Sequence, residues 1–482
     1  MKREIRNIWT ILLLLGVCVS GYAQKPSDVA SDDQKSLTIY QIMVASFQND
    51  PEGAPGYTAM WGPDGQRKNG NLRGITEALD YIADLGANAI WLTPIFDSSN
   101  AFGGEKLQAT GYFTNDFFKI DPHFGTEEEF KDLVEEAHNR GIYVILDGVF
   151  GHHGGVTTSS PSGYTIDSTV SGNDRNEGTG NVSYPGSLDY FKEVATWWID
   201  NYDIDGWRLD QAYQACQGNH NYWNEIRAAV EETTSRRRAE GKEWGILGYM
   251  VGEDWGKPEV INKGVYKNGG LLSAFDFDGK EIISGPMHDT KNAGLKNGWD
   301  DIVKVYSTPK SRGYLNDNVI PNLFLTNHDG YRLADHFDPK DSNYYEKQMT
   351  RIGILAGYNG PITLYYGDEY ADRTLETEGG QPDNVARTSG HLEARTSGEE
   401  SLHDFTVSAM HFRRANPAMW RGTPTFNRQK VADADVLVVD KTDSETGNRV
   451  LIIFSDKDTT VPVHGVGAVD VDAWRPEFVK VK

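Results

Sequence analysis

The sequence predicts an α/β fold: a (β/α)8 barrel of the TIM type, with a small inserted subdomain after the third strand and a C-terminal all-β domain. Three observations lead to this prediction. Short apolar runs alternate with amphipathic helical segments from Leu37 onward, eight such runs precede residue 420, and β-rich sequence follows. Near-continuous apolar strands that alternate with helices indicate a parallel sheet covered on both faces. Eight such units favour closure into a barrel.

The eight predicted strands share a short apolar core and are separated by segments with helical spacing of apolar residues. In chain order the strands are LTIYQIMVASF (37–47), ANAIWLTPIF (87–96), GIYVILDGVF (141–150), DIDGWRLD (203–210), ILGYMVGED (246–254), LLSAFDF (271–277), VIPNLFLTNHD (319–329) and GPITLYYGDE (360–369). The clearest helices cover 74–86, 188–202, about 222–239, and a segment that a Thr126–Glu129 capping box opens and that continues to about Arg140.

Composition divides the chain into a catalytic barrel over 37–420 and two further parts. Residues 151–187 are rich in Gly, Ser, Thr, Asn and Asp and have little periodicity, which predicts an inserted subdomain. The segments VLVVDKT (436–442) and NRVLIIFSD (448–456) are apolar, rich in β-branched residues and joined by a polar turn. They predict a C-terminal β-sandwich over 421–482.

The N-terminus has the pattern of a signal peptide over residues 1–23. A basic start (MKREIR) precedes an apolar run over 8–19, and Gly21 and Ala23 provide small residues before Gln24. The run is short for a membrane-spanning helix, so we expect no membrane insertion of the mature chain. The pattern predicts a secreted, periplasmic protein. Cys18, with Leu15 three residues earlier, leaves a lipoprotein anchor as the minor alternative, although Val17 is bulky for that processing.

The net charge of −23 restricts the partners of the protein. A surface this acidic repels phosphate backbones and anionic membranes. We therefore expect no nucleic-acid partner.

Polar residues at the carboxyl ends of the predicted strands are the candidates for catalysis, because chemistry in such barrels lies on those loops. Glycoside hydrolysis needs a carboxylate at the anomeric carbon and a carboxylic acid on the leaving oxygen. The strand ends provide Asp147, Arg208, Asp210, Glu253 and Asp329, with His152 and His328 beside them.

Two of these carboxylates have neighbours that suit different roles. Arg208 lies two residues before Asp210 on one strand, so both side chains face the same side. A guanidinium there is expected to lower the pKa of Asp210 and keep it ionised. Glu253 is followed by Trp255, and an apolar neighbour is expected to favour the protonated acid.

Four of these segments resemble the conserved regions of the α-amylase family of glycoside hydrolases (family thirteen). They occur in the family's order as DGVFGH (147–152), GWRLD (206–210), VGEDW (251–255) and FLTNHD (324–329). ATGYFTNDFFKIDPHFGT (109–126) is a supporting match, and the likeness extends from Leu37 to about Arg421. The resemblance implies a retaining hydrolase of α-glucosidic bonds, mainly α-1,4, in starch-derived glucans or maltooligosaccharides.

The resemblance also implies a role for each residue of the site. Asp210 would be the nucleophile, Glu253 the acid/base and Asp329 the transition-state stabiliser, with about 5–5.5 Å between the first two carboxyls. The remaining members would hold the sugar or the nucleophile: Arg208 orienting Asp210, His152 and His328 hydrogen-bonding the sugar, Tyr112 stacking on it, and Asp147 beside Arg208 as a structural and subsite carboxylate.

The chain departs from the family pattern at three positions. Gly151 stands where the family usually has Asn, and Tyr213 and Gln214 stand where many members have Lys-His. The family uses that Asn and His at a calcium site, which puts the site in doubt here. GWRLD followed by QAYQ is closer to the neopullulanase and cyclomaltodextrinase pattern.

No cofactor is expected to be required, but calcium is possible in the loop after the first strand. That loop offers oxygen ligands of the kind calcium prefers, although the same residue types are common in any loop. The candidates are Asn49 and Asp50, with Asp64, Asn69 and Asn71. A zinc site is not expected, because the His residues are scattered and no Cys cluster exists.

Two other functions fit the same sequence. A transglycosylase or isomerase would share every catalytic residue and differ only in what intercepts the intermediate. A non-catalytic glucan-binding relative would have lost catalytic carboxylates, whereas this chain keeps all three.

Overall fold

The computed structural model describes residues 26–58, 69–101, 104–155, 157–169, 180–374 and 386–481. The predicted signal peptide, with Cys18, and Asp64 of the predicted calcium loop lie outside the described residues. Across these ranges, no helix is both long enough and apolar enough to cross a bilayer.

Eight parallel strands form a closed barrel, which confirms the predicted fold class. They are β1 (Thr38–Ile42), β2 (Ala89–Leu92), β3 (Tyr143–Gly148), β4 (Gly206–Leu209), β5 (Tyr249–Gly252), β6 (Ser273–Ala274), β7 (Leu323–Phe324) and β8 (Ile362–Tyr365). Each of β1 to β5 pairs with the next strand along the chain, β7 pairs with β8, and β8 pairs back with β1. A parallel bridge between Phe275 and Asn322 joins β6 to β7 and closes the ring.

The paired strands are shorter than the apolar runs that predicted them. The run over 319–329, for example, pairs only at Leu323–Phe324, and its last residues leave the sheet as a loop at the barrel rim. The strands stop pairing where they diverge from one another. The extended residues beyond each paired segment therefore provide the side chains of the barrel rim.

The helices lie outside the barrel and cover its strands. They are α1 (Asp32–Lys35), α2 (Leu72–Glu77), α3 (Leu79–Asp84), α4 (Glu105–Gln108), α5 (Glu127–Asn139), α6 (Leu188–Tyr202), α7 (Trp223–Ala239), α8 (Pro258–Lys263), α9 (Phe277–Ser284), α10 (Trp299–Val305), α11 (Tyr344–Ala356), α12 (Ser397–Ala415) and α13 (Ala418–Arg421). The capping box of Thr126 and Glu129 opens α5 as predicted. The helix predicted over 74–86 is instead two short helices that meet at Ala78.

The segment after β3 folds back as a small antiparallel sheet. Its strands are His152–His153, Gly180–Val182 and Ser168–Thr169, with Gly180–Val182 in the middle. His152 therefore belongs both to the barrel rim and to the edge of the inserted subdomain.

The C-terminal part consists of two antiparallel sheets. Strands β9 (Thr423–Val431), β10 (Ala434–Thr442), β11 (Arg449–Ser455) and β14 (Glu477–Val481) form one, and the hairpin of β12 (Thr459–Val463) and β13 (Gly467–Val471) forms the other. Alternate residues of β10 face opposite sides: Leu437 and Val439 join the main core, whereas Val436 and Val438 pack with the hairpin. Because both faces are covered, β10 and β11 are apolar along most of their length.

A buried ion pair beside β6 holds several segments together. Asp276, fully buried, accepts hydrogen bonds from Arg312 Nη2 (2.7 Å), the Tyr314 hydroxyl (2.7 Å) and the Tyr358 hydroxyl (3.0 Å). It also caps α9 through the Gly279 N–H at 2.7 Å. These bonds lower the pKa of Asp276 against the opposing effect of burial.

We expect Asp276→Ala to lower the free energy of unfolding by about 3–5 kcal/mol, because it leaves Arg312 buried without its hydrogen-bonded counter-charge, and Asp278 lies farther away at 3.8 Å. Chemical denaturation followed by circular dichroism measures the change. Asp300→Ala is the matched control, since Asp300 pairs with Arg428 at the surface and should cost less than about 1 kcal/mol. Equal losses in the two variants would contradict the role assigned to the buried pair.

Candidate active site

The predicted acids meet at the carboxyl ends of the barrel strands. Asp210 directly follows β4, Glu253 directly follows β5, and Asp329 lies five residues beyond the end of β7. The backbone continues the ladder past the strands: Asp210 N–H donates to Gly148 O at 3.0 Å and Glu253 N–H to Leu209 O at 2.8 Å. Strand pairing thus fixes the height at which these two carboxylates leave the barrel.

Arg208 lies at the centre of the site and is 1% exposed. Its Nη1 donates to Asp147 Oδ2 and to Asp210 Oδ1, both at 2.9 Å, and its Nη2 lies 2.9 Å from Glu253 Oε1. One guanidinium therefore connects carboxylates from β3, β4 and β5. The planar group has donors on several sides, which a lysine ammonium could not arrange in this way.

Asp147 occupies the floor of the site and is fully buried. Besides Arg208, it accepts hydrogen bonds on Oδ2 from Tyr112 OH (2.7 Å) and Trp91 Nε1 (3.1 Å). Burial raises the pKa of Asp147 to about 6, and Arg208 and Tyr112 oppose that shift. Asp147 is therefore packed beneath Arg208, and its carboxylate oxygens accept hydrogen bonds from Arg208, Tyr112 and Trp91.

The expectation that Arg208 keeps the pKa of Asp210 low is wrong. Burial raises the pKa of Asp210 well above its ordinary value, and repulsion from Glu253 and Asp147 acts in the same direction. Arg208 opposes this rise in the pKa of Asp210, but its single positive charge interacts with three carboxylates at once. Such a cluster favours retention of a proton that the group shares as a unit.

Trp255 contacts Glu253 through a hydrogen bond, and not as the apolar neighbour that the sequence suggested. Its Nε1 donates to Glu253 Oε1 at 2.8 Å. Oε2 accepts the backbone N–H of Gln211 at 3.0 Å. Gln211 has a left-handed φ of 40°, an unfavourable conformation for a residue with a side chain, and this turn follows Asp210 directly. Both oxygens of Glu253 are thereby fixed.

Asp329 is the most accessible of the three acids, with a side chain that is 23% exposed. Its Oδ1 accepts a hydrogen bond from Arg387 Nη2 at 2.9 Å, and its Oδ2 lies 3.4 Å from His328 Nε2. Gln41 Nε2 donates to His328 Nδ1 at 2.8 Å, so the proton of the neutral ring lies on Nε2, toward Asp329. Burial and the two nearby arginines lower the pKa of His328 well below its usual value.

Tyr112 and His152 complete the predicted set. The Tyr112 ring stacks on His328 with centroids 5.3 Å apart and planes 3° apart. His152 Nε2 lies 3.9 Å from Asp210 Oδ2, and its Nδ1 is 3.1 Å from Gln214 Oε1, which can only accept. The structure thus brings all eight predicted carboxylate, arginine, histidine and tyrosine members together at one rim.

Two contributors, Gln41 and Arg387, were missed by the sequence reasoning. Gln41 is a fully buried amide inside the apolar strand β1, and such a polar interruption was a signal that could have been used. Arg387 comes after a long polar segment with no periodicity, and nothing in the sequence places it next to Asp329.

Comparison with known proteins identifies the family of this fold and site. The family model described as "Alpha amylase, catalytic domain" matches residues 41–163 and 183–421.

The chain belongs to the α-amylase family.

Relatives carry related names. The chain is 30% identical over 366 residues to the intracellular maltogenic amylase of Bacillus subtilis (strain 168), covering 70% of this chain and 55% of that relative. It is 25% identical over 457 residues to a cyclomaltodextrinase of a Bacillus species, covering 88% and 73%. The crystal structure of AmyP in complex with maltose is similar with a TM-score of 0.78 and 32% identity, covering 93% and 97%. The chain thus spans about half the length of the first of these relatives.

The departures from the family pattern at Gly151 and Gln214 are in direct contact. A Cβ atom built on Gly151 would lie 2.0 Å from Gln214 Oε1 and 2.4 Å from Gln214 Cβ. The Gln214 side chain therefore fills the space that a side chain at 151 would need, and it holds His152 from there. Tyr213 is 47% exposed, and its hydroxyl donates to Gln211 Oε1 at 2.7 Å.

The loop of the predicted calcium site uses its oxygens in other ways. Asp50 Oδ2 accepts from Arg73 Nε at 2.8 Å, and Asn71 Oδ1 caps α2 by accepting the Gly74 N–H at 2.7 Å. Asn49 donates its side-chain amide to the carbonyl of Asn69 at 3.0 Å. Within the described ranges no group of three or more His, Cys, Asp or Glu could hold a metal. Calcium binding here stays a prediction.

We expect Gly151→Ala to destabilise the protein by about 1–3 kcal/mol, because it overpacks the space that Gln214 fills. Gln214→Gly removes the whole clashing side chain, so the double variant should lose less than the sum of the single losses. Denaturant melts of the four proteins measure the coupling. Additive losses would show that the two positions do not share this space.

Proposed function

We propose that this α-amylase-family protein is a retaining glycosidase that hydrolyses α-glucosidic bonds of maltooligosaccharides or starch-derived glucans. The observation that carries the proposal is the shared guanidinium: Arg208 binds both Asp210 and Glu253, at 2.9 Å each. Two carboxylates on one guanidinium are held close together, as the retaining mechanism needs.

In the first step Asp210 attacks the anomeric carbon while Glu253 protonates the glycosidic oxygen. The C1–O bond breaks, its electron pair goes to the leaving oxygen with the proton of Glu253, and a C1–Oδ ester forms. Glu253 suits this role because Trp255 and the Gln211 N–H fix its oxygens. Burial raises the pKa of Asp210, and Arg208 opposes this rise by stabilising the ionised form that attack requires.

In the second step water attacks the same carbon and the ester bond breaks. Glu253 takes the proton from that water, and Asp210 leaves as a carboxylate that Arg208 stabilises. Asp329, fixed by Arg387 and exposed to the cleft, would bind sugar hydroxyls as the ring flattens. The neutral His328 would donate from Nε2, and Tyr112 would support the sugar ring.

The substrate class is supported by the names of the relatives. One is called a maltogenic amylase, another a cyclomaltodextrinase, and a structural neighbour was crystallised with maltose. Trp255 is 43% exposed beside Glu253, and Tyr213 is 47% exposed beside Gln211. Both aromatic side chains could hold an acceptor sugar. This favours transglycosylation as the second candidate, in which a sugar hydroxyl replaces water in the second step.

We expect Asp210→Asn to abolish release of sugar from maltotriose, with at least a 10⁴-fold loss, because no ester can form. Proton NMR of the wild-type reaction should show the α-anomer first, since two displacements retain configuration. Asp80→Asn on α3, at the surface, is the control and should keep full activity. Longer products would show transglycosylation; first release of the β-anomer, or a wild type inert on all α-glucans, would contradict the proposal.

We expect a chelator to leave activity and melting temperature unchanged, because Arg73 neutralises Asp50 and Gln214 fills the space beside Gly151. Differential scanning fluorimetry with EDTA, followed by excess Ca²⁺, measures this. A melting temperature that falls with EDTA and returns with Ca²⁺ would instead assign a calcium site, with the loop of Asn49 and Asp50 as its place.

We also propose that residues 1–23 direct export to the periplasm, which is supported by their basic start, apolar run and small residues before Gln24. Fractionation of cells with N-terminal sequencing tests this. A mature chain that begins at Gln24 in the periplasm agrees with the proposal. Recovery with the membranes through a modified Cys18, or an uncleaved chain in the cytoplasm, would contradict it.

A further inference from the structure

A cavity of about 440 Å³ lies between the barrel and the C-terminal sheets, apart from the active site. The barrel contributes residues from 293–299, 336–341 and α11, and the C-terminal part contributes Asp435, Asp456 and Trp474. Its volume is in the range of small-molecule sites. None of the residues assigned to catalysis lines it.

Two tryptophans form one wall of the cavity. Trp299 and Trp474 lie with ring centroids 5.5 Å apart and planes inclined at 51°. Trp299 is 3% exposed and is anchored by its Nε1, which donates to Asp435 O at 3.0 Å. Trp474 is half-buried and belongs to the lining.

The backbone is strained where it presents apolar side chains to this cavity. Leu295 has a φ of 50° and Trp474 a φ of 63°, in the left-handed region that bulky residues rarely adopt. Trp474 is held there by its own N–H, which donates to Ser455 O at 2.8 Å, and by its carbonyl, which accepts from Thr350. Strain that neighbouring structure maintains at a cavity is typical of ligand sites.

Polar groups complete the lining. Asp338, Asp341, Asp435 and Asp456 surround the opening, and Lys347 binds Asp341 while its Nζ lies 5.7 Å from the Trp474 ring centroid. These four carboxylates outnumber the two cations of the lining, Lys347 and Arg351, which disfavours anions. Carboxylate oxygens accept hydrogen bonds from hydroxyl groups, so the lining combines aromatic faces with hydroxyl acceptors.

We propose that this cavity is a second carbohydrate site, which binds a neutral glucan chain away from the active site. A pyranose ring has an apolar C–H face that fits Trp474 and hydroxyl edges that fit Asp341 and Asp456. The identity of the glucan as α-linked rests on the function proposed above. Because both parts of the chain line the cavity, binding there would hold the barrel and the C-terminal sheets together.

Isothermal titration of the full-length Asp210→Asn protein with maltoheptaose tests the proposal, since the ligand then stays intact. We expect two sites in this protein and one after Trp474→Gly is added; Gly removes the ring and accepts the left-handed φ. Ala293→Phe, which fills the cavity and leaves Trp474 in place, should have the same effect. Trp244→Ala, at a half-buried Trp stacked on His138, is the control and should keep both sites.

Activity on maltotriose distinguishes a failure of the second carbohydrate site from a failure of the proposed hydrolysis. In the otherwise wild-type chain, Trp474→Gly and Ala293→Phe should change kcat/KM for maltotriose by less than twofold and lower affinity for soluble starch at least tenfold. A single site in Asp210→Asn, or unchanged starch affinity in both cavity variants, would overturn the second site while leaving hydrolysis intact. A wild type inert on maltotriose would contradict the proposed function instead, whatever the number of sites.

Discussion

The buried guanidinium of Arg208 is the interaction on which the rest of the site depends. Parallel pairing places Asp210 and Glu253 at the same height on adjacent strands, and it places Asp147 lower, in register with Arg208. Without a cation between them, these three carboxylates would repel one another in a buried site. Arg208 binds all three and lies 4.9 Å from the Trp91 ring centroid, so its own burial is compensated by charge and by an aromatic face. Removing it would leave an anionic cluster with no counter-charge.

A layer of aromatic and amide groups fixes this centre from below. Tyr112 and Trp91 bind Asp147, Tyr112 stacks on His328, and Gln41 sets the tautomer of His328. These groups exclude water from one side, which strengthens the electrostatic interactions of Arg208. The other side stays open at Asp329 and Trp255, where a sugar can enter. The site is therefore rigid below and accessible above.

The sequence predicted the fold and the rim because both follow from local patterns. Apolar runs located all eight strands, and the polar residue after each run located Asp210, Glu253 and Asp329. Charge states do not follow from such patterns: the direction of the Asp210 pKa shift depends on burial and on carboxylates from the neighbouring strands β3 and β5, which only the folded sheet brings near. For the same reason Arg387 could not be placed, since its contact with Asp329 spans a segment without periodicity.

Two of the positions that differ from the family pattern are linked in the structure. In the sequence, Gly151 and Gln214 each stand where the family has a residue of its calcium site. In the structure they form one packing unit, in which the missing side chain at 151 makes room for the amide that binds His152. Gln214 thus positions a ring that lies 3.9 Å from Asp210. Tyr213 is more exposed, but its hydroxyl donates to Gln211 Oε1 at 2.7 Å, so it contacts the turn whose N–H binds Glu253.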